Sequence, residues 1–250
     1  MSNNMKATIL LPLYVYPNQG AWDPIYTAIE ANPNLDFIVI INPSNGPGGA
    51  GWWPNADYTR EIPHLGSYSN VRIVGYVHST YCNRPIEDVL KDVQTYADWA
   101  LEDEKLQMQG IFVDETPNLY TPKTKQYLDT INSVAWKNAR IGGERLMIHN
   151  PGTAVNKSLA EPGPDITVVS ETSYDEFVKE HYQKWLATSP YDRSQTCYML
   201  NSVPEEDIQD LTVRLRERAA FLFLTSAKTD FYQSFDSSSW QDFVAAMASE

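Results

Sequence analysis

The sequence is poor in the features that mark disulfide-rich, membrane-spanning and nucleic-acid-binding proteins. Its 250 residues include two cysteines, Cys82 and Cys197, whose spacing matches no metal motif and which could form at most one disulfide. No apolar run approaches the roughly eighteen residues of a membrane helix, so no membrane-spanning segment is expected. Basic residues are outnumbered 19 to 32 by acidic ones, and the net charge of −13 argues against nucleic acid or an anionic membrane as a partner. The charge fits a solvated surface or an acidic cleft equally well.

The apolar segment that follows Lys6, "ATILLPLYVY", has some likeness to a secretion signal. No small-residue cleavage site follows it, and "YPNQG" is typical of a loop after a strand. We therefore predict a strand here, and expect either that the protein is made without a signal peptide or that one has been removed.

What the sequence does contain is a repeating order of strands and helices. Eight apolar runs of strand length occur, at 7–15, 36–42, 71–77, 110–115, 145–150, 166–171, 196–200 and 219–225. Their near-continuous hydrophobicity indicates parallel strands that are covered on both faces. With helical stretches between them, the pattern predicts an α/β protein with a (β/α)8 TIM barrel, formed as a single domain by residues 1–250. A doubly wound open sheet is the alternative.

Two connections depart from this pattern. Residues 151–165 hold "PG" and "EPGP", so we predict an irregular or missing helix between strands 5 and 6. The stretch "NPSNGPGGAGWWPNAD" after the second strand is too rich in glycine and proline for regular structure, and long ordered loops of this kind are often functional.

Polar, acidic and aromatic side chains follow the predicted strands. In TIM barrels the carboxyl ends of the strands surround one mouth, where the catalytic groups gather. We predict that three acids are catalytic, namely Asp114, Glu115 and Glu171. The predicted substrate-binding residues are Tyr14, Tyr16, Asn42, Trp52, Trp53, Tyr76, His78, His149, Asn150 and Asn201.

Strand alternation gives the direction of the acids. Asp114 should point into the mouth, and Glu115 should turn outward unless the strand has already ended. The same count turns Thr167, Val169 and Glu171 inward. Asp114 and Glu171 should then face each other across the mouth, two strands apart.

Two opposed carboxyl groups are the minimum apparatus for cleaving a glycosidic bond. A separation of about 5 to 5.5 Å predicts retention of anomeric configuration, and a wider gap predicts inversion. Taken alone, however, an acid after a strand also serves as a helix cap or a solvated charge. A metal-dependent lyase that uses Asp114, Glu115 and His149 is a further reading, although separated histidines more often form hydrogen bonds than bind metal. We predict no metal and no cofactor.

Aromatic residues offer candidate surfaces for stacking on sugar rings. Trp52 and Trp53 lie in the glycine-rich loop, and Tyr16 and Tyr81 follow strands. Aromatics are also ordinary core residues, so only the two tryptophans favour a binding role.

Five segments, "LPLYVYP", "FIVIINPSNGPG", "VRIVGYVHSTY", "GIFVDETPN" and "VVSETSYDEF", resemble the spherulin-4 family, whose characterised fungal members form glycoside hydrolase family 135. The resemblance implies a (β/α)8 barrel that cleaves α-1,4-linked N-acetylgalactosamine within galactosamine-containing polysaccharide. The family's essential acids are an Asp-Glu pair on the fourth strand and a Glu on the sixth, which correspond to Asp114, Glu115 and Glu171. We expect Asp114 to be the nucleophile, Glu171 the general acid/base, and Glu115 to bind substrate or tune its neighbour; swapped roles stay open.

The resemblance also implies a polysaccharide or oligosaccharide partner and a secreted or cell-surface location. Because no signal peptide is visible, a cytoplasmic location stays open as well. The competing hypothesis for function is a non-catalytic carbohydrate-binding or cell-surface spherulin-like protein.

Overall fold

The computed structural model describes residues 6–49, 53–233 and 235–249. Its eight parallel strands close into a barrel in chain order, and β8 pairs with β1. The strands are β1 (Thr8–Leu13), β2 (Phe37–Ile41), β3 (Val71–His78), β4 (Gly110–Asp114), β5 (Leu146–His149), β6 (Ile166–Ser173), β7 (Thr196–Asn201) and β8 (Phe221–Leu224). The predicted TIM barrel is confirmed, and its closure excludes the open sheet.

Helices surround the barrel and connect most of its strands. They are α1 (Asp23–Ala31), α2 (Ala56–Leu65), α3 (Ile86–Glu102), α4 (Pro122–Lys137), α5 (Tyr174–Phe177), α6 (Glu180–Leu186), α7 (Ile208–Arg216) and α8 (Ser238–Ala248). The start of α4 shows how the sequence sets these bounds. The Thr121 side chain accepts from the Thr124 N–H, the Thr124 side chain accepts in return from the Thr121 N–H, and Pro122 takes the first helical position.

The core lies on both sides of the strands. Every residue of β2 is fully buried, as the uninterrupted apolar runs predicted. Helix α3 packs especially closely against β3, because Gly75 has no side chain and the buried ring of Tyr96 fills the space. The Tyr96 hydroxyl donates to the Ile41 carbonyl at 2.9 Å, so this ring also ties α3 to β2.

The connection between β5 and β6 has no α-helix, as predicted. All of residues 150–165 are described, and their regular structure is one 3₁₀ turn at Lys157–Leu159. Val155 and Leu159 form a small apolar cluster with Cys82 and Leu128, which belong to the β3–α3 connection and to α4. This cluster holds the loop against the neighbouring connections at the barrel mouth. Cys82 and Cys197 are both buried free thiols.

The close approach at Gly75 yields a stability prediction. In Gly75→Ala the new methyl group would lie 2.6 Å from the Tyr96 ring, so β3 and α3 must separate. We expect a loss of about 1–3 kcal/mol in the free energy of unfolding, measured by urea denaturation. The matched control is Gly49→Ala, where the nearest atom would be 3.4 Å away. Equal stability of the two variants would contradict this account of the packing.

Candidate active site

The first acid pair lies where β4 leaves the sheet. Asp114 is the last residue of the strand, and Glu115 adopts a left-handed backbone conformation with φ of 53°. Such a conformation costs a non-glycine residue on the order of 1–2 kcal/mol. It is held in place because the Glu115 carbonyl accepts from the Ser79 hydroxyl at 2.8 Å and from the Tyr81 N–H at 2.7 Å. Both carboxyl groups therefore line the mouth.

The third acid is aimed by a register shift in β6. Val168 pairs with Cys197 and Glu171 with Met199, so these two β6 residues share a face although they are three apart in sequence. Ser170 lies on the other face, where its hydroxyl is 2.9 Å from that of Tyr182 in α6. Glu171 points inward as predicted. The expectation from simple alternation that Thr167 shares its face is wrong, because the shift at Val169 inverts the count.

A single amide joins the two opposed acids. Asn150 directly follows β5, and its Nδ2 donates to Asp114 Oδ1 at 2.8 Å and to Glu171 Oε2 at 2.6 Å. These two oxygens therefore lie no more than about 5.4 Å apart, the sum of the two distances. The Asn150 Oδ1 accepts from the Gly152 N–H at 3.0 Å, which fixes the orientation of the amide. The predicted convergence of the acids is thus realised through a buried side chain directly after the strand that lies between them.

Two tyrosines complete the hydrogen bonding of the acids. The Tyr76 hydroxyl donates to Asp114 Oδ2 at 2.7 Å, and the Tyr232 hydroxyl donates to Glu171 Oε1 at 2.5 Å. The Tyr14 ring lies between their rings, with edge contacts at centroid distances of 5.7 Å to Tyr76 and 5.4 Å to Tyr232. Burial raises the pKa of all three phenols, so they stay protonated and act as donors.

Asp114 has a perturbed acidity. Burial raises the pKa of its carboxyl group to about 6, and the nearby charge of Glu171 acts in the same direction. Hydrogen bonds from Tyr76, from the Glu115 N–H and from Asn150 oppose this rise. Asp114 therefore exchanges its proton in the mildly acidic range, where a catalytic carboxyl group is useful.

The acids open into a cleft of about 350 Å³. It is lined by Tyr81, Asp114, Glu115, Asn150, Pro151, Gly152 and Glu171, a set without a basic side chain. Among the described residues, none donates a hydrogen bond to the Glu115 carboxylate. That group is available to a ligand.

His149 does not join the site. It is 5% exposed, and its Nε2 lies 2.8 Å from the Asn132 Oδ1 of α4, on the helix side of β5. Burial lowers its pKa to about 3, so it is a neutral structural residue. Its predicted role in substrate binding is therefore wrong. The hypothesis of a metal-dependent lyase also fails for His149, one of the three residues that it requires at the site. Within the described ranges, no group of three His, Cys, Asp or Glu residues could hold a metal ion.

Three further predicted residues lie at the rim and make loop contacts. His78 pairs with Asp114 on the neighbouring strand, and its Nδ1 is 2.9 Å from the Asn45 carbonyl. Asn42 accepts from the Gly46 N–H at 3.1 Å, and Asn201 accepts from the Ser202 hydroxyl at 3.0 Å. These contacts shape the loops around the acids.

Of the other predicted aromatic residues, Tyr16 and Trp53 do not line the cleft of the acids. The Tyr16 hydroxyl donates to Asp57 at 2.7 Å, near the start of α2. Trp53 is half-buried and packs on Gly48, where a Cβ would lie 2.2 Å from its ring. Trp52 lies outside the described residues.

Sequence reasoning missed Tyr232 as a partner of the acids. It lies in the β8–α8 connection, beyond the strand end that the barrel rule singles out. The available signal was its place in an aromatic stretch, "DFYQSF", after a barrel strand.

A family model, a curated relative and a solved structure each match most of this chain. A family model described as spherulation-specific family 4 matches residues 8–247. Spherulin-4 from Physarum polycephalum is 30% identical over 190 residues, which are 76% of this chain and 52% of the relative, so the chain spans about half of its length. The crystal structure of Aspergillus clavatus Sph3 in complex with GalNAc has a TM-score of 0.92 at 39% identity and covers 98% of this chain and 99% of its own.

More distant structures share the barrel. The GH18 chitinase ChiB of Flavobacterium johnsoniae has a TM-score of 0.58 at 13% identity, covering 97% of this chain and 94% of its own. At this identity the likeness is one of fold alone.

No helix in the described ranges has the length and hydrophobicity to cross a membrane.

The burial of Asp114 predicts a pH-dependent effect on stability. Its pKa of about 6 exceeds the ordinary value of 3.8, so the folded state binds the proton more tightly than the unfolded state. The unfolding free energy should therefore fall as pH rises from about 4 to 6 and stay low above that range. Asp114→Asn removes the buried charge, and Tyr76 can accept from the new amide. We expect a gain of about 1–3 kcal/mol at pH 8 and almost none at pH 4, measured by thermal denaturation.

The control for this measurement is Glu144→Gln, which changes a carboxyl group whose side chain is 80% exposed. It should shift stability little at either pH. An equal effect of Asp114→Asn at pH 4 and pH 8 would contradict the assigned cost of burial.

Proposed function

The chain belongs to the spherulation-specific family 4, and from that premise we propose that it is a retaining endo-glycosidase. Its proposed substrate is a polysaccharide that contains α-1,4-linked N-acetylgalactosamine or galactosamine. The observation that carries the proposal is the pair of carboxylates that Asn150 bridges. The sugar class is supported by Sph3, which is 39% identical and whose structure was determined in complex with GalNAc.

The separation of the acids supports retention. Retaining glycosidases hold their carboxyl groups about 5–5.5 Å apart, whereas inverting enzymes leave about 6.5–9.5 Å for a water molecule. The bridging distances limit the nearest oxygens of Asp114 and Glu171 to about 5.4 Å, which leaves no room for that water between them. An attack by a carboxylate on the sugar is therefore favoured.

In the first step Asp114 attacks the anomeric carbon while Glu171 gives its proton to the leaving oxygen. The carbon–oxygen bond of the linkage breaks, and a glycosyl ester forms on Asp114. In the second step water attacks the same carbon, Glu171 takes the proton of that water, and Asp114 leaves as a carboxylate. The three hydrogen bonds that Asp114 accepts orient it for this attack and stabilise its charged form against burial.

Glu115 is proposed to bind the substrate. Its carboxylate faces the cleft without a hydrogen bond from any described residue, so it can accept one from a sugar hydroxyl or an amide N–H. With three acids and no basic group lining the cleft, a unit with a free amine would gain from charge attraction as well.

The assignment predicts that loss of either acid abolishes cleavage. Asp114→Asn and Glu171→Gln should each lower kcat at least about a thousandfold, because one removes the nucleophile and the other the proton donor. The measurement is the release of reducing ends from α-1,4-linked N-acetylgalactosamine oligomers, with Glu144→Gln as the active control. By NMR, the first product should keep the anomeric configuration of the linkage.

Two results would contradict the proposal. Cleavage that survives Asp114→Asn or Glu171→Gln places the chemistry elsewhere. Binding of hexosamine oligomers by a wild-type chain that cuts none of them indicates a carbohydrate-binding protein.

The pH profile tests which acid attacks. Asp114 must be charged to act as the nucleophile, so kcat/KM should fall tenfold per pH unit below about 6, the pKa set by its burial. If Asp114 is instead the proton donor, kcat/KM should fall above about 6. Initial rates from pH 4 to 8 at low substrate concentration separate the two assignments.

A further inference from the structure

Tyr81 contributes the exposed aromatic ring of the catalytic cleft. It lies in the β3–α3 connection, is 60% exposed and lines the same cleft as the three acids. Among the described residues, its hydroxyl has no hydrogen-bond partner and its ring contacts no other aromatic ring. A large apolar surface left open beside catalytic groups is a feature of ligand sites.

The backbone at Tyr81 is strained. Thr80, Tyr81 and Cys82 have φ values of 49°, 55° and 63°, so three successive non-glycine residues adopt the left-handed conformation. Each is individually unfavourable, and such residues persist only where the surroundings hold them. Here the Asn83 N–H donates to the Thr80 carbonyl at 2.9 Å, and the Cys82 side chain is buried in the small apolar cluster with Leu128.

The strained turn is attached to the catalytic strand. The Tyr81 N–H donates to the Glu115 carbonyl at 2.7 Å, and the Ser79 N–H donates to the Asp114 carbonyl at 3.0 Å. The Ser79 hydroxyl donates to the Glu115 carbonyl as well. The backbone that carries the Tyr81 ring is therefore tied to the backbone of the two acids by direct hydrogen bonds.

The chemistry of the cleft matches one face of a sugar. Apart from Tyr81 and Pro151, its lining residues present carboxylate, amide and backbone groups. A pyranose ring has hydroxyl groups at its edge and C–H groups on its faces, so it can bond to the acids while one face packs on an aromatic ring. In galactose-type sugars the axial hydroxyl leaves one face with an especially continuous C–H surface.

We propose, resting on the glycosidase function above, that Tyr81 is the stacking platform of the sugar subsite next to the cleaved linkage. Its ligand is an N-acetylgalactosamine or galactosamine unit, whose C–H face packs on the Tyr81 ring. The left-handed turn holds the backbone that carries the ring beside the acids, so that a sugar packed on the ring lies in the same cleft as Asp114.

The test compares variants that separate the ring from the backbone. Tyr81→Asn removes the ring but suits the left-handed conformation, which asparagine adopts more readily than most residues. Tyr81→Phe keeps the ring and removes the hydroxyl. The control is Tyr120→Asn, which removes an exposed tyrosine that does not line the cleft. Each change is made in the wild type for kinetics and in the Glu171→Gln background for calorimetric binding of an α-1,4-linked N-acetylgalactosamine tetrasaccharide.

We expect Tyr81→Asn to weaken binding and raise KM about tenfold, which is the scale of one aromatic contact. Tyr81→Phe and Tyr120→Asn should stay within about twofold of their parents. Wild-type-like binding by Tyr81→Asn, in a chain that cleaves the substrate, would overturn this inference alone. An equal loss in Tyr81→Phe would overturn stacking, since it would assign the effect to the hydroxyl. A wild-type chain that neither binds nor cleaves would overturn the proposed function and this inference with it.

Discussion

The arrangement of the site depends on one side-chain amide. Asn150 donates through the same nitrogen to Asp114 and Glu171, and so holds two groups of like charge within about 5.4 Å of each other. An amide is uncharged, so it joins the carboxyl groups without neutralising either one. A lysine or arginine in its place would favour the charged form of Asp114 and lower the pKa of that carboxyl group.

The barrel geometry makes this bridge possible. Neighbouring parallel strands lie about 4.8 Å apart, so acids on β4 and β6 start about 10 Å apart, and the residue that follows β5 lies between them. Inward-pointing side chains then close much of that distance. The register shift in β6 is equally necessary, because without it Glu171 would point to the face that Ser170 now occupies, where the Ser170 hydroxyl contacts Tyr182 of α6. The three successive strands β4, β5 and β6 therefore position Asp114, Asn150 and Glu171.

The mouth of the barrel carries structural cost that the rest of the molecule offsets. Burial makes the charged form of Asp114 unfavourable, and Glu115 and residues 80–82 adopt left-handed backbone conformations. Strain of this kind collects at functional sites and persists when the surrounding structure determines it. Here the support comes from the closed barrel, from hydrogen bonds between the β3–α3 connection and the end of β4, and from the small cluster around Cys82.

The amino-acid pattern alone determined the order of strands and helices, the missing helix after β5 and the inward direction of Asp114, because these follow from periodicity and local turn chemistry. It could not choose between His149 and Asn150, since successive residues of a strand point to opposite faces and the pattern did not say which one faced the mouth. The bridging amide, the shift at Val169 and the hydrogen bond from Tyr232 were decided by the tertiary structure. They depend on strand register and on loops that meet only when the barrel closes, and no local pattern encodes such contacts.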